Sequence, residues 1–470
     1  MRAEPQVSPY RPDPRILPLA EWLADPVEAA DFPLHTTRWR NGRWAAGVGL
    51  EALSDEGWTA HFGRFEPLAD NLPRPLALRY HGHQFQVYNP DIGDRRGFLF
   101  AQLRDADGRL LDLGTKGSGQ TPWSRFGDGR LTLKGAVREI LATEMLEALG
   151  VYTSKTFSVI ETGEQLVRND EPSPTRAAVL VRLSHGHIRI GSFQRLLALD
   201  EKDHMAALVD YCLAQFPGET DPSAIDQAPS SEVPAVRLMH QVVERLADLA
   251  AAYMVAGFVH GVLNTDNMNV TGESFDYGPW RWLPRFDPGF TAAYFDQQGL
   301  YAYGRQPSAI HWNCAQLAGA LRLIAPEDAL IAALDRFAAL YRAALARRFC
   351  WRLGVEEAGE EADLALFSAA AQHMAQSDTA PDALFFACRA GRHVPDGEFG
   401  DLLRSRRPRA APDDPFWREE APPTNHIDEV ERIWGEIDRA DDWTALETHV
   451  AAIRRLGAAL GEPPRPPVLG

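Results

Sequence analysis

Residues 260–268 of the chain read HGVLNTDNM and bring an imidazole, two side-chain amides and a carboxylate into nine positions: His260, Asn264, Asn267 and Asp266. A carboxylate can take a proton from a reacting hydroxyl, and carboxylate and amide oxygens are ligands that suit Mg²⁺. The segment is therefore a candidate for proton transfer beside a metal-bound substrate. In the alternative interpretation, the two asparagines are ordinary turn residues.

The spacing of His260 and Asn267 matches the catalytic loop of protein kinases, whose final Asn binds magnesium. In kinases the catalytic Asp stands two residues after the His, but that position holds Val262 here. Three interpretations are open at this point. The chain could be an inactive kinase, a different enzyme on a kinase-like scaffold, or a chance match.

Other residues that phosphate chemistry requires follow in the order of a kinase-like fold. A Gly-rich loop at 91–97 (DIGDRRG) precedes Lys116, which closes an apolar run, and Glu139 lies on the next helical pattern. Asp276 then occurs in the triplet DYG. Each element alone is weak, because a Lys and Glu couple is more often an ordinary surface or lobe-stabilising ion pair. Asp276 could cap a turn, and Asp287 in FDPGF is a rival to it.

Two further stretches carry cations. Residues 116–130, KGSGQTPWSRFGDGR, could wrap phosphates with backbone N–H groups, although turn glycines in a plain loop are the alternative. Arg182 and Arg189 suit bidentate phosphate contacts.

Four histidines lack the further Cys or His residues that would complete a metal site, so we predict structural hydrogen bonds for them. They are His81 with His83, and His185 with His187.

Apolar periodicity predicts a β-rich first half with one prominent helix and a helical second half. The predicted strands are 97–103, 109–116, 155–162 and 177–184. The predicted helices are 131–150, 236–257, 312–324 and 329–349. Together with the motif order, this pattern predicts an α+β, protein-kinase-like two-lobed fold with a β-rich N-terminal lobe and a helical C-terminal lobe.

We expect four segments along the chain. An N-terminal extension, 1–75, packs on the kinase-like core, and the N-lobe covers 76–195. The helical C-lobe, 196–405, carries the catalytic loop and the metal ligands. The last segment, 406–470, is a Pro- and charge-rich surface linker (406–425) followed by a helical tail.

The composition excludes several classes of function. A formal net charge of −17 argues against nucleic acid or an anionic membrane as a partner. The four cysteines are far apart and form no CxxC pair, which suits a reducing compartment and no structural zinc. The sequence shows no signal peptide and no run of about 20 apolar residues. We therefore expect a cytoplasmic protein, and a monomer.

Successive blocks between about residues 60 and 325 resemble the signature blocks of the selenoprotein O family. The blocks are YHGHQFQVYNPDIGDRRG, KGSGQTPWSRFGDGR, HIRIGSF, HGVLNTDNM, DYGPW, FDPGF and QPSAIHWN. Members of that family are kinase-fold protein adenylyltransferases. The resemblance implies that AMP is moved from ATP, bound in a flipped orientation relative to kinases, to Ser, Thr or Tyr hydroxyls of target proteins, with release of pyrophosphate.

The resemblance also implies roles for individual residues. Asp266 would accept the proton, and Asn267 and Asp276 would hold Mg²⁺, with Mn²⁺ as an alternative because it prefers similar oxygen ligands. Glu139 would brace Lys116. The residues implied in nucleotide binding are Gly93, Arg95, Arg96, Lys116, Asp128, Gly129, Arg182 and Arg189, with Glu139 in support.

The chain departs from the family pattern at three places. Arg95 stands where many members have Gly, and Gln120 replaces a common Arg. The last cysteine is Cys388, so control through a C-terminal redox residue is not expected. Two alternatives stand beside adenylyl transfer: a kinase-like phosphotransferase with Asp266 as its base, and a non-catalytic nucleotide-binding scaffold.

Overall fold

The strands of the protein concentrate in its first part and the long helices in its second, as the sequence predicts. The structure is a computed structural model that describes residues 6–169, 171–217, 233–409 and 414–464. The strands are β1 Ala24–Pro26, β2 Thr36–Arg40, β3 Leu76–Leu78, β4 Gly82–Gln84, β5 Val87–Asn89, β6 Leu99–Arg104, β7 Leu110–Lys116, β8 Leu131–Thr132, β9 Lys155–Leu166, β10 Thr175–Ser184, β11 Phe258–Val259 and β12 Arg281–Trp282.

Most helices follow β10. They are α1 Ala20–Leu23, α2 Gly42–Gly47, α3 Asp55–Phe62, α4 Leu133–Ala148, α5 Ile190–Ala198, α6 Lys202–Gln215, α7 Pro234–Ala256, α8 Gln306–Leu321, α9 Glu327–Asp335, α10 Phe337–Leu353, α11 Glu360–Ser377, α12 Pro381–Cys388, α13 Glu398–Arg404, α14 Ile427–Ala440 and α15 Thr444–Leu460.

One antiparallel sheet organises the β-rich part. Its strands run in the order β1-β3-β6-β7-β10-β9-β2, and β8 pairs with β10. The four strands predicted from sequence are β6, β7, β9 and β10, which form neighbouring pairs in the middle of the sheet. The two edge strands, β1 and β2, come from the first 40 residues, so the N-terminal segment belongs to the same sheet.

Both faces of this sheet are buried. Successive side chains of β10 point to opposite faces, and each face packs against a different core. Ala178 and Leu180 join the core beneath α4, whereas Val179 and Val181 join a second core on the opposite face. Trp58 of α3 belongs to that second core and donates a hydrogen bond from its indole nitrogen to Ser158 at 2.9 Å. The sheet is therefore a rigid platform for whatever its strands carry.

Helix α7 is the axis of the helical part. It packs against α6, α8, α9 and α10, and most of its residues are buried. It ends at Gly257, whose φ of +66° is a left-handed cap that favours glycine. The chain then enters β11 and reaches segment 260–268 directly. A helix end fixed in the core thus sets the position of the polar segment.

The structure differs from the predictions at two helices. The predicted helix 329–349 is in fact two, α9 and α10, because the N–H of Arg336 bonds Ala333 three residues back and interrupts the helical ladder. The Arg336 guanidinium is also held by His240 of α7 at 2.9 Å. The predicted helix 312–324 begins earlier, at Gln306. None of the described helices has the length and apolar character that a membrane crossing requires.

The predicted linker 406–425 is described only in part, because residues 410–413 lie outside the described ranges. In the described part, Phe416 and Trp417 are buried against the helical core. Asn425 is also buried, and its amide donates to the carbonyl of Leu141 on α4 at 2.7 Å. These side chains attach the segment to α4 and its surroundings.

The central position of β10 gives a stability prediction. Replacing fully buried Leu180 by Ala removes apolar contacts beneath α4, and we expect the free energy of unfolding to fall by about 2–5 kcal/mol. The matched control is Leu34→Ala, at a side chain that is 60% exposed, for which we expect about 0.5 kcal/mol or less. Urea titration followed by tryptophan fluorescence measures both. Equal losses in the two variants would contradict this assignment of the core.

Candidate active site

Two strands bring cations to the same face of the sheet. In the antiparallel register Lys116 of β7 lies opposite Leu180, and Arg182 follows two residues later on β10. Lys116 and Arg182 are therefore diagonal neighbours on the face that α4 covers. Glu139 of α4 forms an ion pair with the Nζ of Lys116, and the side chains of this pair are only 1% and 4% exposed. The interpretation of Lys116 and Glu139 as an ordinary surface pair is therefore wrong.

Asp276 completes this charge cluster from the helical part. Its Oδ1 lies 2.9 Å from the Nζ of Lys116 and 3.7 Å from a guanidinium nitrogen of Arg182. Burial alone would raise the pKa of Asp276, but the charges of Lys116, Arg182 and Arg96 lower the pKa well below its usual range. Its side chain is still 32% exposed, because it faces an open cleft. These cations therefore favour the ionised form of Asp276.

His260 positions Asp276 rather than facing a substrate. Its buried ring bonds through Nε2 to the carbonyl oxygen of Phe275 at 3.0 Å, and burial lowers its pKa. A neutral ring that donates from Nε2 fits this contact. Asp276 follows at once with a φ of +62°, a left-handed conformation that turns the chain there. The histidine of the motif therefore sets the backbone from which Asp276 projects.

Asp266 and Asn267 lie on one short 3₁₀ turn, Thr265–Asn267. The Asn267 amide nitrogen donates to the carbonyl of Val262 at 3.0 Å, and its Oδ1 oxygen accepts no hydrogen bond from the residues that the structure describes. The Oδ1 of Asp266 is buried and has no hydrogen-bond partner among the described residues. Burial raises the pKa of Asp266 to about 6, although the charge of Arg189 opposes this rise. A buried carboxylate oxygen without a partner is costly to the fold, which makes Asp266 a candidate for a functional role.

Arg189 joins the two sides of the site. Its guanidinium donates to the hydroxyl of Tyr80 at 2.9 Å, to Asp94 at 2.9 Å and to the backbone carbonyl of Asp266 at 3.2 Å. Asp94 also accepts the backbone N–H of Leu78 at 3.0 Å. The Gly-rich loop and the 3₁₀ turn are therefore held by one buried cation. Tyr80 and Asp94 are site residues that sequence reasoning missed, since only their distance from Arg189 in space reveals them.

The Gly-rich loop is packed too closely for larger residues at two positions. A Cβ on Gly93 would lie 2.5 Å from the Trp123 ring, and one on Gly97 would lie 2.1 Å from the carbonyl oxygen of Thr115. The loop is also tied to the 116–130 stretch, because the N–H of Gly117 donates to the carbonyl of Arg96 at 2.6 Å. The two predicted phosphate-binding stretches thus form one surface, from which the arginines project.

These side chains line one cleft of about 740 Å³, within the usual range of ligand sites. Ten of the twelve residues singled out from the sequence line it: Arg95, Arg96, Lys116, Asp128, Gly129, Arg182, Arg189, Asp266, Asn267 and Asp276. The other two do not line the cleft but contact residues beside it: Gly93 packs against Trp123, and Glu139 is paired with Lys116. At the outer end, Asp128 forms an ion pair with Arg168 at 2.8 Å.

The rival candidates lie elsewhere or are otherwise engaged. Asp287 is not among the cleft residues, and its carboxylate accepts the N–H of Gly289 at 2.8 Å. The predicted structural hydrogen bonds of the four histidines are confirmed. Their Nδ1 atoms pair with the Tyr88 hydroxyl, Gln194, the Tyr152 hydroxyl and Asp112, for His81, His83, His185 and His187 respectively.

All four cysteines are buried and unpaired. Burial raises the pKa of the last one, Cys388, to about 11, so its thiol is held in the neutral form.

In the described parts of the chain, no group of three or more His, Cys, Asp and Glu side chains is arranged to hold a metal. A metal in the cleft would therefore need ligands of another kind, such as the Asn267 amide oxygen and the substrate itself.

Comparison of the sequence with known proteins identifies a family and several relatives. The family model described as protein adenylyltransferase SelO matches residues 9–393. A protein nucleotidyltransferase YdiU of Synechocystis is 47% identical over 346 residues, which cover 73% of this chain and 70% of that protein. The YdiU protein of Synechococcus elongatus is 47% identical over 74% of this chain and 68% of its own length.

A relative of lower sequence identity covers more of the chain. The protein nucleotidyltransferase YdiU of Vibrio parahaemolyticus is 34% identical over 379 residues, or 80% of this chain and 74% of that protein. The family match covers the whole of the sheet, the cleft and most of the helical part. The chain therefore belongs to the SelO family of protein adenylyltransferases and is a nucleotidyltransferase enzyme.

Proposed function

We propose that the protein moves AMP from ATP to a Ser, Thr or Tyr hydroxyl of a target protein in a Mg²⁺-dependent reaction. In this reaction the hydroxyl oxygen bonds to the α-phosphorus of ATP. The bond from that phosphorus to the oxygen bridging to the β-phosphate breaks, and pyrophosphate leaves with the electron pair. The acceptor hydroxyl loses its proton. ATP would bind with its α-phosphate toward the acceptor, the reverse of its orientation in kinases.

The observation that carries the proposal is the state of Asp266. Val262 occupies the position of the usual kinase base, and an apolar side chain cannot accept a proton. Asp266 lines the same cleft, its Oδ1 lacks a partner among the described residues, and burial keeps its pKa near 6. A carboxylate with a free oxygen and a pKa near neutrality is suited to accept the proton of an acceptor hydroxyl.

The distribution of cations favours transfer over mere binding. Lys116, Arg182 and Arg189 are buried at the inner end of the cleft, where they can hold the phosphates that leave as pyrophosphate. Arg95 and Arg96, two exposed residues of the otherwise largely buried Gly-rich loop, line the same cleft. A non-catalytic scaffold would need only part of this arrangement.

The residues present fit Mg²⁺. The Oδ1 of Asn267 is free, and Asp276 is ionised and open to the cleft. Two protein oxygens suit an ion that keeps several water molecules and binds phosphate oxygens. Asn267 and Asp276 would hold it, and the chemistry it would supply is charge neutralisation on the phosphates during transfer. Mn²⁺ would suit the same oxygens.

We also propose that the β-rich and helical parts are the two lobes of a kinase-like fold, with lobes at 76–195 and 196–405 and flanking segments 1–75 and 406–470. The support is the order of elements, in which a sheet with one covering helix precedes a helical region that contributes Asp266, Asn267 and Asp276. A cytoplasmic monomer is part of the same proposal.

Separately labelled ATP tests the function directly. The protein is incubated with a protein acceptor and Mg-ATP labelled at either the α- or the γ-phosphate. We expect covalent label on protein only from the α position, because AMP is the group transferred. Label from the γ position alone would overturn the proposal in favour of a phosphotransferase. Retained ATP binding without transfer of either label would favour the non-catalytic scaffold.

Asp276→Ala should reduce the rate of AMP transfer by about 10²–10³-fold, because it removes a preorganised charge at the phosphates. The matched control is Asp287→Ala, which removes a nearby carboxylate outside the cleft and should leave the rate within about twofold. Transfer of α-label at saturating Mg-ATP is the measurement, with thermal unfolding to check the fold. Equal rates for the two variants would remove Asp276 from the site.

Asp266→Asn keeps the shape of the side chain and removes its capacity to accept a proton. We expect transfer to slow by about 10²–10⁴-fold, the usual contribution of a general base. The Kd for Mg-ATP should stay within about twofold of the wild-type value, because Asp266 acts on the acceptor. Single-turnover kinetics and calorimetry measure the two quantities. A wild-type rate in the variant would show that another group takes the proton.

A further inference from the structure

Two segments beside the cleft form a surface almost without charge. Residues 82–90 contain no Asp, Glu, Lys or Arg, and residues 290–300 contain only Asp296. Asp296 is buried and accepts the backbone N–H groups of Leu300 and Tyr301, each at 2.8 Å. In a chain with 24% charged residues and a net charge of −17, this absence stands out. We call these two segments together the uncharged rim.

The rim exposes large apolar side chains. Val87 is 70% exposed, Tyr294 is 81% exposed and Phe295 is 46% exposed. The rings of Phe85 and Phe295 lie 5.8 Å apart, and those of Tyr294 and Phe295 lie 5.1 Å apart. The hairpin of β4 and β5 and the 290–300 segment therefore meet in one aromatic patch. Contiguous apolar surface of this kind is typical of sites that bind another chain.

The rim is built directly onto the segment that carries Asp266. The N–H of His83 donates to the Thr265 hydroxyl at 2.7 Å. The side-chain oxygen Oδ1 of Asn264 accepts hydrogen bonds from the N–H of Phe85 at 3.0 Å and from the hydroxyl of Tyr301 at 2.7 Å. The hairpin half of the rim and Tyr301, the residue that directly follows the other half, thus converge on the side chain of Asn264, two residues before Asp266. Asn264 and Gln84 also line the cleft, so the rim and the cleft are continuous.

We propose that the uncharged rim is the docking surface for the acceptor protein, and that it selects an aliphatic or aromatic residue close to the hydroxyl that receives AMP. This inference rests on the proposed function, and it names the class of sequence that the site would accept. A polypeptide that presents a hydroxyl to Asp266 must pass over the residues around the Asp266 turn. A charged flanking residue would lose water there without gaining a partner, whereas an apolar one would bury surface against Tyr294 and Phe295.

The occupant is a polypeptide segment rather than a second nucleotide or a lipid. The rim itself contains no Lys or Arg, and the guanidinium of Arg305, which borders it, already donates to the carbonyl oxygens of Gln298 and Gly299 at 2.9 and 3.1 Å. The cations of the site lie instead on the Gly-rich loop and on β7 and β10, inside the cleft. The nucleotide and the acceptor would therefore be recognised by separate surfaces of opposite character, one cationic and one uncharged.

A peptide library tests this proposal. Each peptide carries a single Ser, Thr or Tyr, and each flanking position is varied in turn among apolar, small and charged residues. The full-length protein is supplied with α-labelled Mg-ATP. We expect peptides with an aliphatic or aromatic flanking residue to be labelled about tenfold faster than those with a charged one. Equal labelling of the two classes would overturn the inference.

The double variant Tyr294→Ala with Phe295→Ala should lose this preference, with a kcat/KM for the best peptide about tenfold lower. Its Kd for Mg-ATP should stay within about twofold, because both side chains are exposed outside the nucleotide cleft. The matched control is Leu199→Ala with Ile331→Ala, two side chains that are each 46% exposed elsewhere, and it should keep the wild-type preference. Thermal unfolding confirms that all variants fold.

The possible failures are distinct. If the double variant keeps the wild-type preference, or if it loses ATP affinity to the same extent as peptide labelling, the docking role of the rim is overturned while adenylyl transfer stands. If the wild-type protein transfers no α-label to any peptide or protein although it binds Mg-ATP, the proposed function fails and this inference fails with it.

Discussion

The buried contact of Lys116 with Glu139 and Asp276 is the interaction on which the site depends. It joins three elements that are remote in the sequence: strand β7 of the sheet, helix α4 that covers it, and the turn shortly before β12 that carries Asp276. A buried lysine without partners would be strongly destabilising, so each carboxylate compensates for its desolvation. Because the acids hold the cation in place, its ammonium group is already oriented before a phosphate arrives. The same cation keeps Asp276 ionised.

A second buried cation performs the corresponding task on the other side of the cleft. Arg189 is bonded to Tyr80, Asp94 and the backbone of Asp266. The Gly-rich loop, the sheet and the 3₁₀ turn are thereby linked without a covalent bond or a disulfide. Preorganised charges of this kind cost no reorganisation during the reaction, which is how a site contributes most to transition-state stabilisation. Glycines at 93 and 97 also help to fix the Gly-rich loop, because without side chains they allow the Trp123 ring and the Thr115 carbonyl oxygen to pack closely against it.

Much of this arrangement could be predicted from the sequence, but for two different reasons. The central strands and helices α4 and α7 follow from apolar periodicity over long stretches, which is the most dependable local signal. Residues such as Lys116, Asp266 and Asp276 were found by motif order and by family resemblance. The short strands β1, β2, β4 and β5 were missed, because three to five residues give too little periodicity. Tyr80, Asp94 and the uncharged rim were missed because they depend on contacts between distant segments.

The edge strands of the sheet impose an order on its assembly during synthesis. Strand β2, at residues 36–40, pairs with β9, at residues 155–166, and β1 pairs with β3 some fifty residues later. At translation rates of about 5–20 residues per second, residues 36–40 would wait several seconds for their partner to leave the ribosome. During that interval the backbone N–H and C=O groups of β2 that later bond to β9 have no strand partner. The β2 edge of the sheet can therefore close only after β9 has been synthesised, late in the assembly of the β-rich part.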